Sequence, residues 1–172
     1  YEMIRIAGTV EGGGTATMKI GDTQVSLTVG AATLVTRLID GKYPDYTQII
    51  PTRFITKIKQ PKEELIKQIK GAGIFSTGGV NAINIVADPE TNRVTIEASH
   101  PQLGKYESSY EAEITGEKQK IVLNYRYLLD GVAVMPGNVD NVLLEVSGVD
   151  SPCLVRCDGY KDFIYIIMPI RQ

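Results

Sequence analysis

Few side chains in this sequence carry reactive groups, and their types and spacing limit what they could do. The one histidine, His100, is followed by Pro101. A lone imidazole beside a proline reads as a surface loop residue without partners. Cys153 and Cys157 stand four apart with no histidine nearby, which is weak support for a metal pair. Two residues four apart on a strand share a face, and reduced thiols are the default reading. Glu107, Glu111 and Glu113 lie on or beside one candidate strand with only Lys105 close by, as on a solvated sheet edge. The sequence has no GxSxG, no HExxH, no phosphate loop and no dinucleotide fingerprint. Gly12-Gly13-Gly14 follows an acidic residue and precedes a strand, so it cannot cradle a phosphate at a helix start. Binding, not catalysis, is the chemistry expected, with no cofactor and no metal.

The elements that would position these residues follow from pattern. Residues 1–10 alternate roughly, and Gly12-Gly13-Gly14 turns the chain. Strands are expected over Thr15–Ile20, with Ala16, Met18 and Ile20 on one face, over Gln24–Val29, with Val25, Leu27 and Val29 on one face, and over Ala32–Leu38. Phe54–Lys59 alternates as a strand, and Pro61 then opens a helix at its first turn. Leu65, Ile66, Ile69 and Ala72 form its apolar stripe, with Lys67, Lys70, Glu63 and Glu64 on the other side. Gly71 and Gly73 are expected to end it, before Ile74-Phe75 and a Gly78-Gly79 turn. Strands Ala82–Ala87, Arg93–Ala98 and Tyr106–Ile114 follow, the first two joined by an Asp88–Asn92 hairpin loop. Lys118–Leu123 restarts the pattern. Asn124 caps a second helix bearing Leu128, Leu129 and Val132, which Pro136-Gly137 stops. Strands Val142–Val146, Cys153–Arg156 and Phe163–Met168 complete the chain. Residues 54–172 thus hold a strand–helix–three-strand unit twice, a repeat of architecture rather than of sequence. Neither a helix nor a half-sheet can bury its apolar face alone. Two such units predict an α+β fold, with two helices on one side and two flanking antiparallel sheets.

The length of 172 residues allows one or two domains, and 43% hydrophobic with 22% charged residues is ordinary for a globular chain. No window nears the ~18 continuous apolar residues of a membrane span, and no charged-then-apolar leader is seen. A cytoplasmic protein with no membrane partner is expected. The first residue, Tyr1, points to a fragment, a processed product or a trimmed chain.

The stretch Leu38–Tyr46 (LIDGKYPDY) joins the two parts of the chain. Asp40-Gly41 is a turn dipeptide, Pro44 biases Tyr43 towards extended backbone, and Tyr43 and Tyr46 flank the proline. Such a segment suits a hinge or the rim of a pocket. The run Leu38–Pro51 (LIDGKYPDYTQIIP) resembles the end of the middle domain of the bacterial DNA polymerase III beta subunit, the sliding clamp. The chain end, Tyr165–Gln172 (YIIMPIRQ), resembles that family's terminal strand, which closes on Met-Pro-[MIV]-Arg. The spacing between the two runs fits one clamp domain. The resemblance implies a DNA-clamp fold, with residues 1–52 from the middle domain and 53–172 forming a third domain. Residues 1–10 would then match the end of a middle-domain helix, although Gly8, Thr9 and Val10 are mediocre helix formers.

What the resemblance implies about function is a non-catalytic processivity factor for DNA replication, which tethers a polymerase and docks partner peptides. Its peptide pocket, carried over by position, would use Pro44, Ile49, Val80, Pro152, Ile166, Ile167, Met168 and Ile170 as walls. Asn124 and Tyr127 would add hydrogen bonds and an aromatic lid, and Pro169 and Arg171 would border the opening. Gln48 stands where many members carry arginine. The partners implied are polymerase and clamp-loader peptides. Double-stranded DNA would be held in the full ring without base reading, through Lys62, Lys67, Lys70 and Arg126 on the helices. The net charge of −2 argues against tight DNA recognition, but a surrounding ring needs only a locally positive lining. Ile74, Phe75 and Glu107 would serve a head-to-tail homodimer. Lacking the first domain and most of the middle one, the chain by itself is expected to be a monomer or a non-native pair. A stand-alone peptide-binding regulator or decoy is the alternative. An unrelated α+β enzyme, revived by a metal or substrate at His100, is the third reading.

Overall fold

The computed structural model describes residues 8, 15–76 and 80–171. The expectations for residues 1–7 and 9–14 and for the Gly78-Gly79 turn lie outside those residues. The chain divides into two compact units, Tyr1–Pro44 and Asp45–Gln172. The cut falls after Pro44, so residues 45–52 go with the second unit.

The first unit carries an antiparallel sheet of β1 (Ala16–Ile20), β2 (Gln24–Val29) and β3 (Ala32–Arg37), in that order. Register places Ala16, Met18 and Ile20 opposite Val29, Leu27 and Val25, on one face, as their alternation requires. Val25, Leu27 and Val29 are buried, while Met18 and Ile20 remain exposed.

The second unit opens on a 3-10 turn, Tyr46–Ile49. Asp45 caps it by accepting from the amide and hydroxyl of Thr47. There follow β4 (Thr56–Pro61), α1 (Lys62–Phe75), β5 (Ala82–Asp88), β6 (Arg93–His100), β7 (Gly104–Glu111), β8 (Glu113–Gly116) and β9 (Gln119–Asn124). Then come α2 (Tyr125–Ala133), β10 (Asn141–Val146), β11 (Cys153–Cys157) and β12 (Tyr160–Ile167). One sheet runs β12-β11-β10-β4-β8 and the other β7-β6-β5-β9, with every pairing antiparallel. The two repeats exchange their first strands. β4 of the first pairs with β10 of the second, and β9 of the second pairs with β5 of the first. Neither half-sheet is therefore complete without the other repeat. Their inner faces (Ile85, Ile96, Val142 and Leu144 among them) close on Leu65, Ile69, Leu128 and Val132 of the two helices in one core.

Four expectations are corrected. Pro61 ends β4 at the N-cap position, with α1 beginning at Lys62. Gly71 and Gly73 do not end α1, which continues through Phe75. Each sits where an aromatic ring presses on the helix: a methyl on Gly71 would lie 2.7 Å from the Tyr106 hydroxyl, and one on Gly73 2.9 Å from Cε2 of Tyr125. Tyr106–Ile114 is not one strand. The chain leaves the four-stranded sheet after Glu111 and joins the other as β8, with Ala112 between. The amide of Ala112 donates to the carbonyl of Asn92, and Gly116 sits at φ +106°. His100 does not lack partners: it closes β6, and its Nδ1 accepts from the amides of Gln102 and Leu103 at 3.0 and 3.1 Å.

Candidate peptide and DNA surfaces

The residues singled out for a peptide pocket in the second unit fall into three groups, built from different elements. The first surrounds the start of α2. Asn124 ends β9 in extended backbone, and its Oδ1 accepts from the amides of Arg126 and Tyr127 at 2.9 and 3.4 Å. Its Nδ2 donates to the carbonyl of Val80 at 3.1 Å. One side chain thus caps the helix and ties down the segment before β5, leaving Val80 and Tyr127 exposed beside it. Asn supplies both an acceptor and a donor, which this double role requires.

The second group is the chain end. β12 pairs with β11 so that Ile167 faces Cys153 and Ile166 faces Leu154. Alternation then separates the two isoleucines. Ile167 lies in the core, 2% exposed, which corrects its expected place as a pocket wall, and Ile166 is half-buried on the opposite face. Pro152 precedes β11 beside the exit of β12, where Met168 is 55% exposed. The backbone beyond is then captured: the amide of Ile170 donates to the carbonyl of Val122 in β9 at 2.8 Å. Val122 lies two residues before Asn124, so this bond brings the chain end to the foot of α2. A surface hollow of about 330 Å³ lies there, floored by Val122, Val149 and Ile170 and flanked by Lys120, Asp150 and Arg171. Arg171 approaches Asp150 at 3.7 Å. The third group is Gln48 and Ile49, exposed in the 3-10 turn, with Gln48 donating to Asp45 at 3.2 Å. The Thr47 hydroxyl and amide hold the Asp45 carboxyl below the usual range. Pro44 closes the first unit.

The helices present a mixed face. Lys67, Lys70 and Arg126 are exposed, and Lys62 is half-buried at the start of α1. Against these four cations stand Glu63, Glu64 and Asp130 on the same two helices. Glu64 lies 3.6 Å from Lys67 and accepts from Gln68 Nε2, which holds its carboxyl below the usual range. Arg126 stacks over the Tyr125 ring, 5.9 Å from its centroid. The sequence reading missed the polar layer beneath this face. Tyr106 donates to Gln68 at 2.7 Å and Tyr110 to the fully buried Gln60 at 2.5 Å, while Gln68 is nearly buried. Burial pushes the Tyr110 hydroxyl pKa up.

The expected assembly residues part company. Ile74 is 67% exposed at the last turn of α1, whereas Phe75 is half-buried, its ring 5.7 Å from that of Tyr106. Glu107 is exposed on β7, the edge strand of its sheet. Cys153 and Cys157 are free, buried thiols on β11. Burial pushes the Cys153 pKa up to about 12. Among the described residues no three His, Cys, Asp or Glu side chains gather as a metal site, and no helix is long and apolar enough to cross a membrane.

Two helices backed by antiparallel sheets that exchange their leading strands define the DNA-clamp fold. The chain belongs to the DNA polymerase III beta-subunit family, matching its C-terminal domain over residues 47–171. Among relatives, a beta sliding clamp of Synechocystis is 26% identical over 170 residues, covering 99% of this chain and 43% of that protein. One from Bacillus subtilis is 28% identical over 153 residues, or 88% of this chain and 40% of that protein. The crystal structure of a Pseudomonas aeruginosa DNA polymerase sliding clamp with ligand superposes with a TM-score of 0.80 at 25% identity, covering 95% of this chain and 43% of that one. The chain spans less than half the length of these relatives.

Proposed function

We propose that this chain contributes to a DNA replication processivity factor, a sliding clamp that tethers a polymerase to DNA and docks partner peptides. Its part is non-catalytic. Residues 53–172 serve as the third clamp domain and residues 1–52 as the end of the middle one. The observation that carries the reading is the Ile170–Val122 hydrogen bond. It holds the backbone after Met168 on β9, two residues before the Asn124 cap, which supports one surface drawn from two distant sequence regions. That surface combines exposed apolar groups (Val80, Tyr127, Met168) with fixed polar ones, as a linear-peptide site requires. Met168 suits varied partners because its side chain is unbranched and polarisable. Gln48, Ile49, Pro152, Ile166, Pro169 and Arg171 complete the part of the proposed site that the second unit supplies.

In the complete protein Lys62, Lys67, Lys70 and Arg126 contact duplex phosphates without reading bases. Ile74, Phe75 and Glu107 serve head-to-tail pairing, and the protein acts in the cytoplasm. The test is titration of the chain with a short peptide containing Gln, Leu and Phe. Saturable binding that Met168→Ala weakens supports the reading. Absence of binding, together with no effect of Met168→Ala, overturns it.

A further inference from the structure

We propose that Gly131 and Tyr165 form the joint that sets the spacing between the two halves of the peptide surface, with Gly131 as a positioning residue. This rests on the peptide-site reading above. Gly131 lies in α2, one helical turn beyond Tyr127, and is buried. Tyr165 lies on β12, three residues before Met168. A methyl group built on Gly131 would stand 2.5 Å from Cδ1, 2.7 Å from Cε1 and 2.9 Å from Cγ of Tyr165. Turning the ring about its Cβ–Cγ bond would move Cδ1 and Cε1 but leaves Cγ, at the root of the ring, at 2.9 Å, so full relief requires β12 and α2 to separate.

Separation at that point is transmitted in both directions. About four residues of helix, roughly 6 Å, connect the joint to Tyr127. About three residues of strand, roughly 10 Å, connect it to Met168. Both paths are stiff hydrogen-bonded elements, and the only described backbone bond that reunites them at the far end is Ile170 to Val122. Glycine costs a helix interior conformational entropy, and Gly131 is where close approach of the ring requires it.

The first repeat holds an internal comparison. Gly71 in α1 meets Tyr106 of β7, the edge strand that corresponds to β12. There the nearest atoms are the hydroxyl oxygen and Cζ, the far end of the side chain, at 2.7 and 2.9 Å. There relief needs only a small swing of the Tyr106 tip about its Cα–Cβ bond, against its hydrogen bond to Gln68, and β7 carries none of the proposed peptide residues.

The experiment measures binding of a fluorescein-labelled peptide containing Gln, Leu and Phe to the 172-residue chain and to Gly131→Ala, Gly71→Ala and Tyr165→Leu variants. Thermal melting and amide hydrogen exchange are recorded for each. The expected result is at least a tenfold loss of affinity for Gly131→Ala and at least threefold for Tyr165→Leu, which empties the joint. Gly71→Ala stays within twofold. Exchange at Ile166, Ile167 and Met168 accelerates in Gly131→Ala and not in Gly71→Ala. Affinity within twofold in a folded Gly131→Ala, or equal losses in the two glycine variants, overturns the proposal. If Gly131→Ala does not fold, unchanged affinity in Tyr165→Leu overturns it and a threefold loss supports it. If the unsubstituted chain binds no peptide, the site reading fails, and the exchange rates at Ile166–Met168 alone decide whether the joint exists.

Discussion

The amide of Ile170 donates to the carbonyl of Val122 across 2.8 Å, joining the last residues of the chain to the edge strand of the opposite sheet. Val122 belongs to β9, whose other side is already paired with β5. Its free edge would otherwise expose unpaired backbone groups. The chain end therefore does two things at once: it covers part of an edge, and it holds the segment that follows Met168 against β9.

Met168 is more than half exposed, so its removal leaves the core intact. Met168→Ala is expected to lower peptide affinity by about tenfold, the equivalent of roughly 1.4 kcal/mol, with a melting temperature unchanged within error. Fluorescence polarisation and thermal melting check the two halves separately. Unchanged affinity would remove Met168 from the site.

Asn124 caps α2 and also holds Val80. Asn124→Ala forfeits the cap, for which about 1 kcal/mol is typical, and releases the segment before β5. Chemical denaturation should show that loss. Peptide affinity should fall beyond what the stability change explains, since Val80 and Tyr127 both lose their anchor.

Gly116 sits at φ +106°, and a methyl there would run into the carbonyl oxygen of Ile55. Both the positive φ and the backbone clash oppose any side chain. Gly116→Ala should destabilise the second unit by more than about 2 kcal/mol, read as a clear drop in the denaturation midpoint. A midpoint within error of the unsubstituted chain would contradict the β8 geometry.

The Cys153 thiol is fully buried, and its pKa rises from 9.0 to about 12, chiefly by burial and secondarily through Glu145. Its raised folded value means the folded state keeps its proton while the unfolded chain loses it. The stabilising contribution is complete below pH 9 and is lost as pH rises from there towards 12. Cys153→Ala should flatten the alkaline limb of a stability–pH curve in that window relative to the unsubstituted chain. Parallel curves would show that the thiol does not titrate as its burial requires.

Lys67, Lys70 and Arg126 are tested by salt dependence. Anisotropy of a labelled DNA duplex with this chain at low ionic strength should show weak binding. Its log–log salt slope should fall by about 0.9 for each phosphate contact removed by substitution to Ala. A slope unaffected by the triple substitution would assign the DNA contacts elsewhere.

The sequence alone determined the elements and most of their faces, because alternation and helical spacing are local properties. Val25, Leu27 and Val29 are buried as their period demands, and Asn124 caps the helix for which its side chain is suited. It could not show where the chain changes sheets. Ala112 sits within an unbroken alternating run, and only the Asn92 carbonyl, twenty residues earlier, decides that the strand divides there. Nor could it separate Ile166 from Ile167, since a strand's period fixes that neighbours differ but not which faces the core. Gly71 and Gly73 were misleading for the same reason. Inside a helix pattern a glycine signals either an end or a close approach, and only the rings of Tyr106 and Tyr125, brought up by a distant strand and by the start of α2, make it the second.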